Sequence, residues 1–527
     1  MKIQITSTIF AAMFFGCNVP SQKSNTKIEE KDTTEIAQEI PIEKQSLPDT
    51  IFSSAKNLVW NITYFDADTI GQLSDYENVY LNTPGIFTFR GNILRNTQNF
   101  KGKVTGTPDS VEVVWRFNTS YDTTKTKYGT WGGGSGWTGQ PLYAQWPDSI
   151  IQKIKSQSPA LKDFGTKEII VGSLCGKLYF INYESGKASR EEFDVQNPIK
   201  GTPSIDPTLN GNIYVGQGVP RQQPFGCLCF NMFSHKQTFF KGNDSNAWRG
   251  WNAFDSSPVA VGGYLFWPSE NGTIYKYKKT GDSITLHSTL RYKRQGRNAP
   301  GVESSICIFK NYGYFCDNHG NIICINLNTL KPIWHYNNYD DSDGTIVCKP
   351  ENGVPYIYSG CEVDKQGTEG ISRIVKLNGC NGDTIWQCTI PCKRMVTPNK
   401  TLDGGMYCTP LLGQGDCDSL IFMNICTNNN AGAGHFYAIN TKNGKVEYLK
   451  KLKSFAWSSP VAFYNENNKM FIFTGDASGN VYLIDALTGK TLFTKNMAIN
   501  FESSPVAIDN YAVVGSRGTT IYKFLIK

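Results

Sequence analysis

Four stretches of this chain share nearly the same opening phrase. WSSPVAFYNENNKMFIFTGDASGNVYLIDALTGKTLF starts at Trp457, ESSPVAIDNYAVVGSRGTTIYKFLIK at Glu502 and ESSICIFKNYGYFCDNHGNIICINLNTLKPIW at Glu303, while SSPVAVGGYLFWPSENGTIYKYKKTGDSI follows Asp255. In each, apolar and polar residues alternate, break at a Gly-containing turn and alternate again, which is the pattern of short strands joined by tight turns. A unit of this length cannot bury its apolar face alone, so near-copies must stack on one another. Weaker copies open at GQPLYAQWP, GTPSIDPTLNGNIYVGQG, GTIVCKPENGVPYIYSG and CTPLLGQGDCDSLIFMN. Aligned on the Pro of Ser-Ser-Pro, the eight anchors are Pro141, Pro203, Pro258, Ile306, Ile346, Pro410, Pro460 and Pro505, spaced 40 to 64 residues apart. That spacing matches a four-stranded propeller blade with variable loops.

The sequence therefore predicts an all-β chain, an eight-bladed β-propeller of four-stranded antiparallel blades over residues 111–527. The last copy ends at TTIYKFLIK and supplies only a third strand, while VEVVWRF (Val111 to Phe117) has no blade of its own. Pairing the two closes the ring and removes two exposed sheet edges. An open solenoid or two smaller domains are the alternatives. Aromatics at 13% and 50 glycines in 527 residues fit short strands and turns. A net charge of +7, with no Lys/Arg stripe interleaved with aromatics, argues against a nucleic-acid partner.

The N-terminus reads differently. MKIQITSTIFAAMFFGC has a Lys at position 2, an apolar run too short to span a bilayer, and a Gly before Cys17. Its FFGC ending resembles a bacterial lipobox, with Phe14 in place of the usual Leu. The resemblance implies a signal peptide over 1–17, lipidation of Cys17 and a lipid anchor in the cell envelope. The outer membrane is expected, on its periplasmic side rather than the cell surface. Residues 18–50 are polar and read as a flexible tether, and 51–110, containing FTFRGNILRNTQNF, as an irregular preface. The fourteen cysteines after Cys17 lie mostly inside strand-like segments, as in SICIF and IICIN, and are expected to be buried small residues. No spacing matches a zinc site.

The phrase GNVYLIDALTGKTLF, echoed in GKLYFINYESGK, GHFYAINTKNGKVEYL and GNIICINLNTLKPIW, resembles the repeat of the pyrroloquinoline-quinone-type propellers, the quinoprotein alcohol dehydrogenase-like superfamily. The superfamily includes calcium- and quinone-dependent dehydrogenases and cofactor-free envelope lipoproteins that act by presenting surfaces. This chain has no Cys-Cys dipeptide and no CxxCH haem site. It therefore reads as a non-catalytic binding or protein-docking scaffold with no cofactor. Its expected partners are envelope proteins or a polysaccharide, and the propeller is expected to be monomeric. A dehydrogenase using pyrroloquinoline quinone (PQQ) and calcium, and a surface glycan- or nutrient-binding module, are the alternatives.

The residue three before each anchor should face the mouth of the axial channel. Around the ring these are Thr138, Lys200, Asp255, Glu303, Asp343, Tyr407, Trp457 and Glu502. Converging carboxylates must hold a cation, pair with bases or share protons. An axial polar or calcium-like site of Asp255, Glu303, Asp343, Glu502 and Lys200 is expected, the identity of any metal left open. Arg249, Arg294 and Arg297 in the adjoining loops are the expected counter-charges. Trp137, Trp248, Arg249, Trp251, Arg297 and Trp457 are candidate ligand contacts. No catalytic residue is assigned. GGGSGWTG fits G-x-G-x-x-G at Gly134, Gly136 and Gly139, but the pattern binds dinucleotides only between a strand and a helix; here it reads as a loop.

Overall fold

The structure, a computed structural model, describes residues 50–66, 75–159, 161–281, 283–397, 400–428 and 432–527. Cys17 and nearly all of the expected tether lie outside these residues. The chain forms eight blades of mostly four-stranded antiparallel sheet, arranged as a β-propeller. The innermost strands are Leu142–Gln145, Ser204–Ile205, Val259–Val261, Cys307–Phe309, Val347–Glu351, Leu411–Leu412, Val461–Tyr464 and Val506–Asp509, which define blades 1 to 8. Each begins one residue after its sequence anchor. The α-helix Asp148–Gln157 lies between the first two strands of blade 1. Among the described residues no helix is long and apolar enough to cross a membrane.

The second residue of the Ser-Ser-Pro motif explains itself at the hub. The Ser257 amide donates to Ser305 Oγ (2.8 Å), Ser305 to Thr345 Oγ1 (2.9 Å), Thr345 to Thr409 Oγ1 (3.2 Å), Thr409 to Ser459 Oγ (2.9 Å) and Ser459 to Ser504 Oγ (3.1 Å). Ser504 donates to Gly139 O (3.0 Å), and Gln140 to Thr202 Oγ1 (2.8 Å). Each bond ties a blade to the next and satisfies an amide that leaves its own ladder.

The rim carries a second tie. In the outermost strands Trp115, Trp334 and Trp386 donate through Nε1 to Tyr183 O (3.0 Å), Gly379 O (2.8 Å) and Thr441 O (2.8 Å), each in the turn of the following blade. The glycine of that turn lies flat against the indole. Gly444 has φ +71°, and a Cβ there would sit 2.8 Å from the Trp386 ring. The Asn/Thr-Gly turn and the Trp position of the repeat are thus two sides of one contact. Closure follows the expected route: Val111–Asn118 pairs antiparallel with Thr520–Ile526, with Ile521 opposite Phe117 and Lys523 opposite Trp115.

The expected irregular preface is more ordered than its sequence suggests. Leu58–Tyr64 adds a fifth strand to blade 3, Gly85–Ile86 an inner strand to blade 1, and Lys101–Gly102 pairs in parallel with the inner strand of blade 8. Between them TFRGNILR plugs the hub. The Arg95 guanidinium, fully buried, donates to Ile306 O, Thr88 Oγ1, Phe89 O and Ser257 O at 2.8–3.0 Å. Arg90 reaches Pro460 O (3.0 Å). Burial lowers Arg90 to about 9 and Arg95 to about 10, so both remain cationic at neutral pH. The carbonyls of Ser257, Ile306 and Pro460 belong to three different blades, so the plug acts as a cross-brace. No local pattern marks it, because those partners are main-chain atoms hundreds of residues away. The fourteen cysteines of the described residues are all free, and all but Cys380 are buried.

Replacing Gly444 with Ala should cost about 2–4 kcal/mol, from left-handed backbone strain and overpacking against Trp386. Chemical denaturation checks this, and an unchanged midpoint would mean that the rim contact carries no stability.

Candidate functional site

Six of the eight axial positions line one pocket: Thr138, Asp255, Glu303, Asp343, Tyr407 and Trp457. Trp137 and, from the plug, Phe89 line it as well. The enclosed space is about 30 Å³, room for one or two waters. Lys200 borders it, buried to 7% side-chain exposure, with its ammonium paired to Asp255, 3.3 Å from Glu303 and 3.9 Å from Glu270. The same ammonium lies 4.5 Å from the centre of the Trp137 ring. Trp137 Nε1 donates to Glu303 (3.0 Å). Trp137 and Thr138 both sit in the left-handed region, at φ +49° and +60°. That backbone costs about 1–3 kcal/mol per residue and aims the indole over the axis.

The charges sort into two groups of three carboxylates, each with ligand atoms within 4.8 Å of one another and so spaced to hold a cation. Asp255, Glu270 and Glu303 share Lys200. Despite burial, those three charges hold the Lys200 ammonium well above its ordinary value. Burial works against Glu303 as well, but Lys200 and the Trp137 N–H keep its carboxyl below the usual range. Burial, then the neighbouring Glu303 and Asp255 charges, raise Glu270 well above it. Within the group Glu303 is thus the carboxyl held toward its ionised form, and Glu270 the one pushed toward its protonated form.

Asp341, Asp343 and Glu362 form the second group. Burial comes first and mutual repulsion next in raising Asp343 and Glu362 well above normal. Asp341, eased by Lys365 at 2.9 Å, is raised to about 6. A raised carboxyl stabilises the fold only while protonated. The contribution from Asp341 is complete below its unfolded value near 4 and is lost as pH climbs through about 6. Tyr407 stacks on Trp457 (5.0 Å between centres, 29° between planes), and Trp457 meets the Trp137 edge at 5.4 Å.

Other expected residues lie apart. Glu502 turns away from the axis, accepting from Asn500 Nδ2 (2.7 Å) and facing Arg517 Nε (3.6 Å). Arg297 is exposed, with its amide on Arg294 O (3.0 Å). Arg294 Nη1 donates to Asn337 (2.6 Å). Trp248 packs under Lys293 (5.4 Å). Trp251 stands behind the pocket, donating to Glu270 (2.8 Å). Arg249 approaches Glu303 from beside Gly301 and lowers its carboxyl. The main counter-charge is thus Lys200, an axial residue itself, with Arg249 of the expected loop arginines contributing at Glu303.

Glu270, Glu362 and Asp341 carry no signal in an anchor-based reading. Glu270 occupies the place after the second strand that Asp317 and Asp476 hold in blades 4 and 7. There the shorter Asp accepts from Asn321 and Asn480 within its own turn, whereas Glu270 reaches across to Lys200. Glu362 arrives on a short strand, Glu362–Val363, that leaves blade 5 to pair with Gly404–Gly405 of blade 6. GGGSGWTG is a loop as expected, followed by a strand and not a helix. Gly134 comes so close to blade 8 that a Cβ would meet Ser516 O at 2.0 Å.

Replacing Lys200 with Met should destabilise the protein by about 3–5 kcal/mol at pH 7, because Asp255 and Glu303 lose their counter-charge in a buried site. The loss should shrink as pH falls toward 5 and those carboxyls take protons. Melting curves across pH test this, and a pH-independent loss would mean that Lys200 acts by packing alone.

No protein-family model matches the sequence, and no curated protein matches it. In fold the chain is similar to a europium-containing methanol dehydrogenase, at TM-score 0.58 and 12% identity, over 85% of this chain and 99% of that one. It is similar to quinohemoprotein alcohol dehydrogenase from Comamonas testosteroni at TM-score 0.57 and 11% identity, over 85% and 82%. BamB from Moraxella catarrhalis aligns at TM-score 0.47 and 12% identity, over 68% and 93%. The fold is that of the PQQ-type propellers, and identities this low speak to fold alone.

Proposed function

We propose that this chain is a non-catalytic ligand-binding propeller of the cell envelope, held to a membrane by lipid on Cys17, with the axial pocket as its ligand site. Lys200 carries this reading. Its ammonium already fills the cradle between Asp255 and Glu303, so the pocket is charge-organised before anything enters. Aromatic faces beside buried carboxylates are the chemistry of recognition, where orientation and desolvation set affinity. The envelope part rests on MKIQITSTIFAAMFFGC and the polar stretch after it.

Convergence of Asp255, Glu303 and Asp343 on the axis favours a second reading, a dehydrogenase that uses a quinone and a metal ion. The residues fit it poorly. Asp255 and Glu303 are engaged by Lys200, the Trp137 N–H is engaged by Glu303, and no cysteine lines the pocket. Of the two carboxylate groups among the described residues, that of Asp341, Asp343 and Glu362 is not paired with Lys200, but Lys365 pairs with Asp341. A glycan platform of Trp248 and Trp251 is not favoured either. Trp251 meets Tyr128 and Phe225 edge-on, while Trp248 lies under Lys293.

Purified protein incubated with PQQ and either calcium or lanthanum should show no dye-linked oxidation of alcohols or sugars. Quinone-dependent turnover would overturn the non-catalytic reading. Metabolic labelling with a palmitate analogue should mark the full chain and not the Cys17→Ser variant; equal labelling of both would remove the anchor.

A further inference from the structure

The Leu58–Tyr64 strand lies outside Ser283–Arg294 and forms the outer edge of blade 3. A free sheet edge offers unpaired main-chain groups to any passing strand, and folded proteins blunt such edges with charge, proline, shortness or cover. Among the described residues the other blades follow that rule. Lys241, Lys451, Lys495 and Arg116 stand in the outermost strands of blades 2, 6, 7 and 8, and Pro391 and Lys393 in that of blade 5. The outermost strand of blade 1 is only Phe193–Asp194, and that of blade 4 is covered by the Ser53–Asn57 turn. LVWNITY has neither charge nor proline, and Val59 and Trp60 are 43% and 37% exposed. Its composition is that of a strand made to be paired.

The edge has a definite hydrogen-bond phase. The Phe65 amide donates to His287 O (2.8 Å) and the Gln295 amide to Asn57 O (2.9 Å). The odd-numbered residues therefore turn their main-chain groups toward Ser283–Arg294. Trp60, Ile62 and Tyr64 turn theirs outward, as does the Leu58 carbonyl, while the Leu58 amide is taken by Ala55 O. We propose that this edge pairs antiparallel with the same strand of a second copy of the chain, about a two-fold axis through Asn61. That register sets Trp60 against Ile62 and Leu58 against Tyr64, so outward groups meet outward groups. A shift of one residue would set them against groups already used inside blade 3. The side chains agree with the register. Trp60 faces β-branched Ile62 on one side of the sheet, and Val59 faces Thr63 on the other. At each end Asp66 of one protomer comes beside Lys56 of its partner. Lys56 is exposed and pairs with no carboxylate among the described residues. Two-fold pairing uses both edges and closes at two copies. The inference depends neither on the axial pocket nor on the lipid anchor, and it sets a dimer in place of the monomer expected from sequence.

Sedimentation equilibrium of the full chain carrying Cys17→Ser, so that no lipid is attached, should give twice the chain mass and dissociation on dilution. Trp60→Pro removes an outward N–H and leaves the ladder to Ser283–Arg294 intact. Asn61→Lys and Asn61→Asp each set like charges face to face on the two-fold axis. Each of the three should weaken self-association about tenfold or more while keeping the strand signal in circular dichroism. The two Asn61 variants, mixed, should recover a one-to-one heterodimer, because opposite charges then face each other. If Trp60→Pro fails to fold, the Asn61 pair still decides. A chain that stays monomeric to about 100 μM overturns the proposal. So does a dimer that the Asn61 variants leave intact, which would put the contact on another face. A monomer that binds a valine–threonine repeat peptide, and loses it with Trp60→Pro, would overturn the dimer and assign the edge to a foreign strand.

Discussion

The amide two residues before an innermost strand is satisfied, at seven of the eight positions, by the neighbouring blade. From Ser257 through Ser305, Thr345, Thr409, Ser459 and Ser504 to Gly139, and from Gln140 to Thr202, these bonds form a nearly continuous belt. At the blade 3 position the Ser257 hydroxyl accepts from the Phe89 amide of the plug (3.3 Å). The belt fixes where every inner strand starts. It therefore brings the residues two positions earlier toward one axis, and six of those eight line a common pocket. The polar hub and the candidate site are consequences of one constraint, the need to satisfy buried backbone amides.

Charge convergence at a hub is costly unless it is answered from within. Blade 2 answers for blades 3 and 4 by sending Lys200 into their carboxylates. Blades 5 and 6 bring Asp341, Asp343 and Glu362 together with Lys365 paired to Asp341, and burial and mutual repulsion push all three carboxyls up. This asymmetry leaves one carboxylate group neutralised by a lysine set between its members and the other not. A fully self-neutralised hub would be more stable and would have little affinity for a cation.

The preface supplies the rest of the site. Phe89 lines the pocket because TFRGNILR runs through the hub, and that segment stays there because Arg90 and Arg95 bind carbonyls of separate blades. The plug also braces the ring near the last blade, where closure rests on a strand taken from residues 111–118.

The sequence alone was enough to determine the eight blades, their innermost strands and the closing strand. Strand alternation, turn glycines and Ser-Ser-Pro are local signals, and the stacking of like units follows from their shared apolar faces. The axial position three before each anchor was legible for the same reason, since it is counted along the chain from a fixed point. The tertiary structure decided which charges meet. Nothing near Lys200 in sequence announces Asp255 or Glu303 as its partners. Glu270 differs from Asp317 and Asp476 only by the one methylene that lets it reach across the hub. Glu362 reaches Asp343 because a short strand changes sheets, and Arg95 reads as a loop residue until the blades that surround it are in place. Local periodicity fixes strands because it acts between neighbours; the partners of a buried charge are fixed by the closed ring, which brings together side chains that share no stretch of chain.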